Sequence, residues 1–218
     1  MTQLQASELE VYQGQFGEFS ITPSDRTSVI IYRSGLLVAA LSFAIATCLI
    51  LLRGTTPTVL TTVTWLYGVF TIALGISLYT IHIYLALLHR LLQLFWAIGT
   101  ITAIVIAVSN PEPLVLFVYN HPISLLGVGF SFAALTGIYF KEAFCFNRLE
   151  TKFLTPLVPM LLLGHLAGVL PLAWEQVLLG IWSVLFLVFA LRKVVQAIPP
   201  DIGDKSVFSY LKERGAHS

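Results

Sequence analysis

The charged segment, FKEAFCFNRLETKF at residues 140–153, is the part of this chain whose residue types could most readily do chemistry. Its candidate residues are Phe140, Lys141, Glu142, Phe144, Cys145, Phe146, Arg148, Glu150 and Lys152. A nearby cation lowers the pKa of a thiol and favours the nucleophilic thiolate, so Cys145 with Lys141 and Glu142 could form a reactive set. The segment contains no histidine to serve as a base, and a single cysteine is weak support for catalysis.

Two other interpretations of the charged segment have better support. Its charges alternate in sign and leave a surplus of one positive charge, which is too small for a polybasic lipid tether. Phenylalanines between charges suit the headgroup zone, where rings enter the apolar boundary and charges stay in water. We therefore predict a cytoplasmic loop that solvates or orients the protein. A partner-docking surface is the second interpretation and catalysis the third.

Three histidines are the candidate cofactor ligands. His82 and His89 are seven residues apart and are expected on one helical face, whereas His165 lies in a separate apolar run. A neutral imidazole can ligate haem iron or a pigment metal. Isolated histidines have no ligand spacing, so we favour interfacial histidines and one buried histidine bonded to a carbonyl. We predict no cofactor and no metal site, and keep haem or chlorophyll as the alternative.

The composition places the chain in a membrane. It is 57% hydrophobic and 11% charged, with a mean hydropathy of +0.87, whereas soluble domains are about 45–50% apolar and about 25% charged. Residues 1–28 are polar, so we expect no cleavable signal peptide and a first hydrophobic helix that serves as its own membrane signal.

Apolar runs between charged residues predict an all-α bundle of six transmembrane helices. The predicted spans are residues 34–52, 59–80, 91–108, 122–139, 154–170 and 174–191. They form a transmembrane domain, residues 32–195, between an N-terminal cytoplasmic arm, 1–31, and a short cytoplasmic tail, 196–218. The fifth span is the shortest, because Pro171 ends it early.

The distribution of positive charge predicts the orientation. With six spans, eleven of the twelve Lys and Arg residues lie on the side that both termini share, and only Arg53 lies opposite. Positive charge is retained in the cytoplasm, so both termini are predicted there. If the fifth span did not cross, the basic C-terminus would be translocated, which favours six crossings over five.

Local patterns predict the ends of the chain. Thr22 to Asp25 fits a variant capping box with proline at the first helical position, so the first helix should begin in the cytoplasm. Residues 11–21 are predicted to be an extended arm, and Asp204 could cap a tail helix over 205–214. Cys48 and Cys145 are expected at different depths, with no disulfide between them.

Small residues at four-residue spacing predict close helix contacts. They are Gly99, Ala103 and Ala107 in the third span and Gly129, Ala133 and Gly137 in the fourth. We favour packing within one bundle, and an oligomer through these residues is the alternative.

Three stretches, EVYQGQFGEFSI, DRTSVIIYRSGL and FKEAFCFNRLETKFLTPLVPMLLLGH, carry a family resemblance. With them the chain resembles a family of integral membrane proteins of unknown function that is typical of cyanobacteria. The resemblance covers nearly the whole chain and implies a plasma or thylakoid membrane. It implies no activity and no catalytic residues.

The predicted spans contain no Asp, Glu, Lys or Arg apart from Glu175 at the outer edge of the sixth, which argues against proton-coupled transport. Our hypothesis is a non-enzymatic accessory, assembly or scaffold factor whose partners are the bilayer and membrane protein complexes, not nucleic acid. A small facilitator lined by the threonines of the second span is one alternative, although threonine hydroxyls often bond to their own helix. A haem- or pigment-binding protein is the other.

Overall fold

The computed structural model describes residues 10–83, 85–207 and 210. An antiparallel hairpin of β1 (Val11–Gly14) and β2 (Gly17–Ser20) precedes the helices. The helices are α1 (Pro23–Arg53), α2 (Pro57–Thr80), α3 (Ala86–Ser109), α4 (Leu114–Asn120), α5 (Leu125–Phe146), α6 (Leu149–Leu166), α7 (Leu172–Val194) and α8 (Pro199–Ile202). A 3₁₀ turn, Pro122–Ser124, leads into α5.

Among the described residues, five helices are long and apolar enough to cross a membrane: α1, α2, α3, α5 with its 3₁₀ turn, and α7. The predicted all-α membrane architecture is confirmed to this extent. The α6 helix is outside this set, because polar residues such as Glu150 and Lys152 occupy its first turn. Its 18 residues extend about 27 Å at about 1.5 Å per residue.

The predicted capping box at the start of α1 is confirmed. The Thr22 hydroxyl accepts a hydrogen bond from the Asp25 amide at 3.2 Å, and the Thr22 amide donates to the Asp25 carboxylate at 2.8 Å. Pro23 at the first helical position loses no hydrogen bond there. The 31 residues of α1 exceed the roughly 20 that a membrane core requires.

Several helix bounds differ from the predicted spans, among them the end of α5, which continues to Phe146 rather than to residue 139. The α6 helix begins at Leu149, five residues before the predicted start of the fifth span at residue 154, so Pro156 and Pro159 lie inside the helix. The helix starts early because Asn147, in the left-handed conformation with φ 52°, ends α5 and reverses the chain within two residues. The α4 helix was not predicted; it forms where Leu114 becomes buried against Ala103 and Val128.

Aromatic side chains fill the centre of the bundle. The α1 helix packs along α2 and α7, α3 packs along α5, and α6 lies between α5 and α7. The ring centroids of Phe43 and Trp182 are 4.5 Å apart, and Phe132 meets Trp182 at 5.3 Å. The Trp182 indole donates to the Tyr139 hydroxyl at 3.3 Å, so this core also satisfies its polar atoms.

Glycines allow α3 and α5 to approach closely. A Cβ atom at Gly99 would lie 3.0 Å from the Ser131 Cα and would also meet other Ser131 atoms, and one at Gly137 would meet Leu92. A Cβ at Gly129 would meet only Leu125 of its own helix, at 3.9 Å. Two of the predicted contact glycines are therefore used within the chain.

The N-terminal hairpin lies against the C-terminal segment. The Gln15 amide donates to the Asp204 carboxylate at 2.6 Å, and Lys205 pairs with Asp25 at 2.8 Å. The bond from Gln15 holds the pKa of Asp204 below its ordinary value. Most of the predicted tail helix, residues 205–214, lies outside the described residues, and both cysteines are free thiols.

A matched pair of substitutions tests the helix contact. Gly99→Ala should lower the free energy of unfolding by about 1–3 kcal/mol, because the added methyl group overpacks the α3–α5 interface. Gly129→Ala should leave it unchanged or slightly raised, because its methyl group enters open space. Denaturation in detergent micelles measures both, and equal effects would contradict the proposed contact.

Candidate functional site

The charged segment is not the loop that the sequence predicted. Residues 140–146 complete α5, residues 149–153 begin α6, and only Asn147 and Arg148 lie between the two helices. Charge alone suggested a solvated loop, but long-range ion pairs compensate these charges and let both helices continue. A helical segment holds its side chains in fixed directions, so the side chains of the charged segment have defined inner and outer positions.

The segment separates into an inner and an outer set of side chains. Glu142 and Glu150 are buried, and Lys141, Phe146 and Arg148 are half-buried. The outer set is exposed and consists of Phe140, Phe144, Cys145 and Lys152. The two sets therefore have different roles, the inner in the protein and the outer at its surface.

The inner residues join five helices in what we call the ionic cluster. Its members are Arg33 of α1, Lys141 and Glu142 of α5, Arg148 and Glu150 at the start of α6, Arg192 and Lys193 of α7, and Asp201 of α8. The ammonium of Lys193 is fully buried at its centre. It lies 2.5 Å from a Glu142 oxygen and also contacts the Asp201 carboxylate.

Arg33 fixes the connection that follows α7. Its guanidinium donates two hydrogen bonds to one Asp201 oxygen, at 2.8 and 2.6 Å. It also donates to the carbonyl oxygens of Gln196 at 2.5 Å and Ala197 at 2.8 Å. These bonds satisfy a buried guanidinium and place α8 beside the first helix of the bundle.

A second group of contacts surrounds Glu150. Its carboxylate receives Arg192 at 2.7 Å and Arg148 at 3.4 Å. Arg148 also donates to the side chain of Gln196. This group ties the start of α6 to the end of α7.

An aromatic ring adds to the electrostatics of the cluster. The ammonium of Lys193 lies 4.2 Å from the centre of the Phe146 ring, and that of Lys141 lies 5.2 Å from it. The Lys141 ammonium is also paired with the Glu142 carboxylate at 2.8 Å, so it points into the cluster. A ring face attracts cations, which helps a site with five cations and three carboxylates to remain compact.

Sequence reasoning missed three central members of the cluster, Arg33, Lys193 and Asp201. In the sequence analysis, Arg33 and Lys193 served only to predict the orientation of the helices in the membrane, and Asp201 had no role. The sequence contained one signal for this cluster: acidic and basic residues flank several apolar runs on the side of the bundle where both termini were predicted. Their pairing depends on helix arrangement, which the sequence pattern does not contain.

His82 and His89 do not share a helical face. The α2 helix ends at Thr80 and α3 begins at Ala86, so His82 lies in the connection and His89 in α3. The His89 Nε2 atom is 2.6 Å from the Leu78 carbonyl oxygen, which occupies that ring nitrogen. Burial lowers the pKa of His82, whose Nε2 atom is 4.0 Å from Asp25.

His165 has partners for both ring nitrogens. Its Nδ1 atom lies 2.7 Å from the Glu175 carboxylate and its Nε2 atom 3.1 Å from the Tyr119 carbonyl oxygen. The Tyr119 hydroxyl donates to Glu175 at 3.1 Å and completes the group. The expectation from the sequence was a buried histidine bonded to a carbonyl; His165 has a carbonyl bond but is half-buried. A metal at His165 would have to displace one of these contacts, and no group of three metal-ligating side chains occurs in the described residues.

The threonines of α2 also behave as expected. The hydroxyls of Thr61, Thr62, Thr64 and Thr71 each donate to the carbonyl four residues earlier, at 2.8–3.0 Å. Such bonds satisfy a hydroxyl within its own helix. The hydroxyl protons of these four threonines are therefore already used within α2, and they are not free to bind a solute in the predicted facilitator path.

Comparison with protein-family models assigns most of the helical region. The model described as "Uncharacterized integral membrane protein (DUF2301)" matches residues 76–210, which include all members of the ionic cluster except Arg33. Comparison with curated proteins found no match, and comparison with solved structures found none either.

Removal of the central cation tests the role of the ionic cluster. Lys193→Met should lower the free energy of unfolding by about 3–5 kcal/mol, because it leaves Glu142 and Asp201 without their shared ammonium. Arg192→Met is the matched control and should cost at most about 1 kcal/mol, because the Arg192 side chain is 57% exposed and Glu150 keeps Arg148. Denaturation in detergent compares the two, and equal losses would show that the buried cation has no special role.

Proposed function

We propose that this chain, which belongs to the DUF2301 family of uncharacterised integral membrane proteins, is a six-crossing scaffold or assembly factor. It performs no catalysis in this proposal, both its termini are cytoplasmic, and it binds another membrane protein at its cytoplasmic end. The resemblance described above supports a cyanobacterial plasma or thylakoid membrane as its location.

The contacts at both ends of α6 support six crossings. At its start Glu150 pairs with Arg192 near the end of α7, and at its end His165 pairs with Glu175 near the start of α7. The α6 helix therefore runs antiparallel to α7 between the same two levels, and α7 is long and apolar enough to cross a membrane. The contact of Gln15 with Asp204 agrees with an even number of crossings, since it brings both terminal regions to one end.

The observation that carries the scaffold proposal is a docking face, defined by Phe140, Phe144, Leu149 and Phe153. These side chains are 55%, 84%, 64% and 58% exposed, respectively. The rings of Phe140 and Phe144 stack with centroids 6.4 Å apart. Exposed apolar side chains at the charged end of the bundle are typical of a protein–protein or membrane interaction site.

The docking face has a rigid support. It extends across the α5–α6 junction, and the ionic cluster lies beneath that junction with Glu142 and Glu150 in ion pairs. Binding to a surface whose backbone is already ordered costs less conformational entropy than binding to a flexible loop. We therefore assign partner binding to the outer residues, with Cys145 and Lys152 at the edge of the face. Arg148 and Glu150 serve to hold it in place.

The alternative functions have less support from the geometry. His89 and His165 use ring nitrogens for hydrogen bonds to carbonyl oxygens, and the α2 threonines bond to their own helix. The cations around Cys145 are directed toward carboxylates, so a thiolate would gain little from them. A scaffold needs none of these groups to be reactive.

Crosslinking in membranes tests the docking face. A photo-crosslinking residue in place of Phe153 should capture a discrete membrane protein, and Phe144→Ser should reduce that capture about tenfold, because a buried phenylalanine contributes about 1.5–3 kcal/mol. Val108→Ser is the control, since Val108 is 82% exposed and lies near the end of α3, away from the docking face. Capture of lipid alone, or equal loss in both variants, would contradict the proposal.

Thiol labelling tests the topology. In a Cys48→Ala background, a membrane-impermeant maleimide should modify Cys145 and a cysteine introduced by Lys205→Cys from the same, cytoplasmic side. A cysteine introduced by Glu112→Cys should react from the opposite side. If α6 did not cross, Cys145 and position 205 would be modified from different sides, and the six-crossing proposal would be wrong.

A further inference from the structure

A crevice of about 600 Å³ opens between α2 and α3, at the end of the bundle opposite the ionic cluster. The N-terminal half of α2 and the C-terminal half of α3 form its walls, and residues 110–114 form its mouth. Its volume is within the range of about 300–1,000 Å³ that small-molecule sites occupy. We call it the outer crevice.

Local packing explains why the outer crevice exists. The Trp96 indole donates to the Thr71 carbonyl at 2.8 Å and closes the space between the two helices on its inner side. Beyond this contact, the small residues Gly68, Ala103 and Ala107 do not fill the space between α2 and α3. A Cβ atom placed on Gly68 would meet no other atom within 4 Å, so the space beside this residue is open.

The polar atoms of the outer crevice are mainly hydrogen-bond acceptors. The hydroxyls of Thr61, Thr64 and Thr100 donate to carbonyls of their own helices, which leaves their lone pairs for an occupant. The Asn110 amide group donates to Ile106. The Glu112 carboxylate is exposed, so it offers acceptor oxygens and a negative charge at the mouth.

The donors of the outer crevice are fewer: the Trp65 indole, which is 75% exposed, and the second N–H of the Asn110 side-chain amide. A matching ligand therefore has an apolar body, a head with several hydroxyl donors, and no negative charge. Anionic headgroups would be repelled by Glu112, and they supply acceptors where the crevice already has them.

We propose that the outer crevice binds a membrane lipid with an uncharged polyhydroxyl headgroup. Its chain lies along the apolar surfaces of α2 and α3, and its head hydroxyls donate to Glu112 and Asn110 at the mouth. This site is separate from the docking face, so the proposal does not depend on the scaffold function.

Fluorescence quenching in nanodiscs tests the site. The full chain is placed in a bilayer that contains one brominated lipid as a minor component: a hexosyl diacylglycerol, phosphatidylglycerol or phosphatidylethanolamine. The signal of Trp65 is obtained by subtracting a Trp65→Phe variant. The hexosyl lipid should quench Trp65 about fivefold more effectively than phosphatidylglycerol, the ratio expected for one charge near a membrane surface.

Two variants distinguish the crevice from general lipid contact. Gly68→Phe should remove the preference by filling the open space. Gly129→Phe should retain it, because Gly129 is outside the crevice and a Cβ atom there would meet only Leu125 of its own helix. Glu112→Gln should improve quenching by phosphatidylglycerol, because it removes the negative charge, and should weaken quenching by the hexosyl lipid, because an amide is a poorer acceptor for its hydroxyls than a carboxylate. Equal quenching by all three lipids, a preference for phosphatidylethanolamine, or an unaffected Gly68→Phe variant would overturn the proposal.

Discussion

The buried ammonium of Lys193 is the constraint on which the charged end of the protein depends. A cation without water is costly unless carboxylates and rings compensate it, and here Glu142, Asp201 and Phe146 do so. These partners belong to α5 and α8, and Arg33 of α1 shares Asp201 with Lys193. The pairing can form only when all four helices are in place, so it couples their positions. Buried ion pairs often contribute little net stability, and we assign this one mainly to the specificity of the arrangement.

Contacts at its two ends hold the α6 helix in position against α7. It is shorter than the other long helices and is not among the five that are apolar enough to cross a membrane, and two prolines interrupt its backbone hydrogen bonding. Glu150 at one end and His165 at the other pair with residues of α7, whose own composition is suited to the membrane. A segment with weak intrinsic preference for lipid can thus be held by protein neighbours. The same arrangement leaves the docking face on one end and the outer crevice on the other, with an aromatic core between them.

Several features could be predicted because they depend on neighbours in the chain. The apolar runs identified the long helices, and the order of Thr22 and Asp25 identified the cap of α1. The loop assigned to residues 140–153 was wrong, because charge density was interpreted as exposure to water. His82 and His89 were wrongly placed on one face, because their seven-residue spacing was interpreted as helical although the predicted second span, like α2 itself, ends at residue 80. The glycines of α3 and α5 were recognised as contact residues, while the structure assigns Gly99 and Gly137 to contacts within the chain.

The amino-acid sequence by itself determined that this is an α-helical membrane protein, since hydropathy and helix capping act over a few residues. Only the tertiary structure decided which charges meet. Arg33 and Asp201 are 168 residues apart, and Glu142 and Lys193 are 51 apart. Likewise, the outer crevice exists because two helices separate beyond Trp96, which no local pattern reports. The physical reason is that ion pairs and cavities arise from the distance between helices, whereas hydropathy and capping belong to each helix alone.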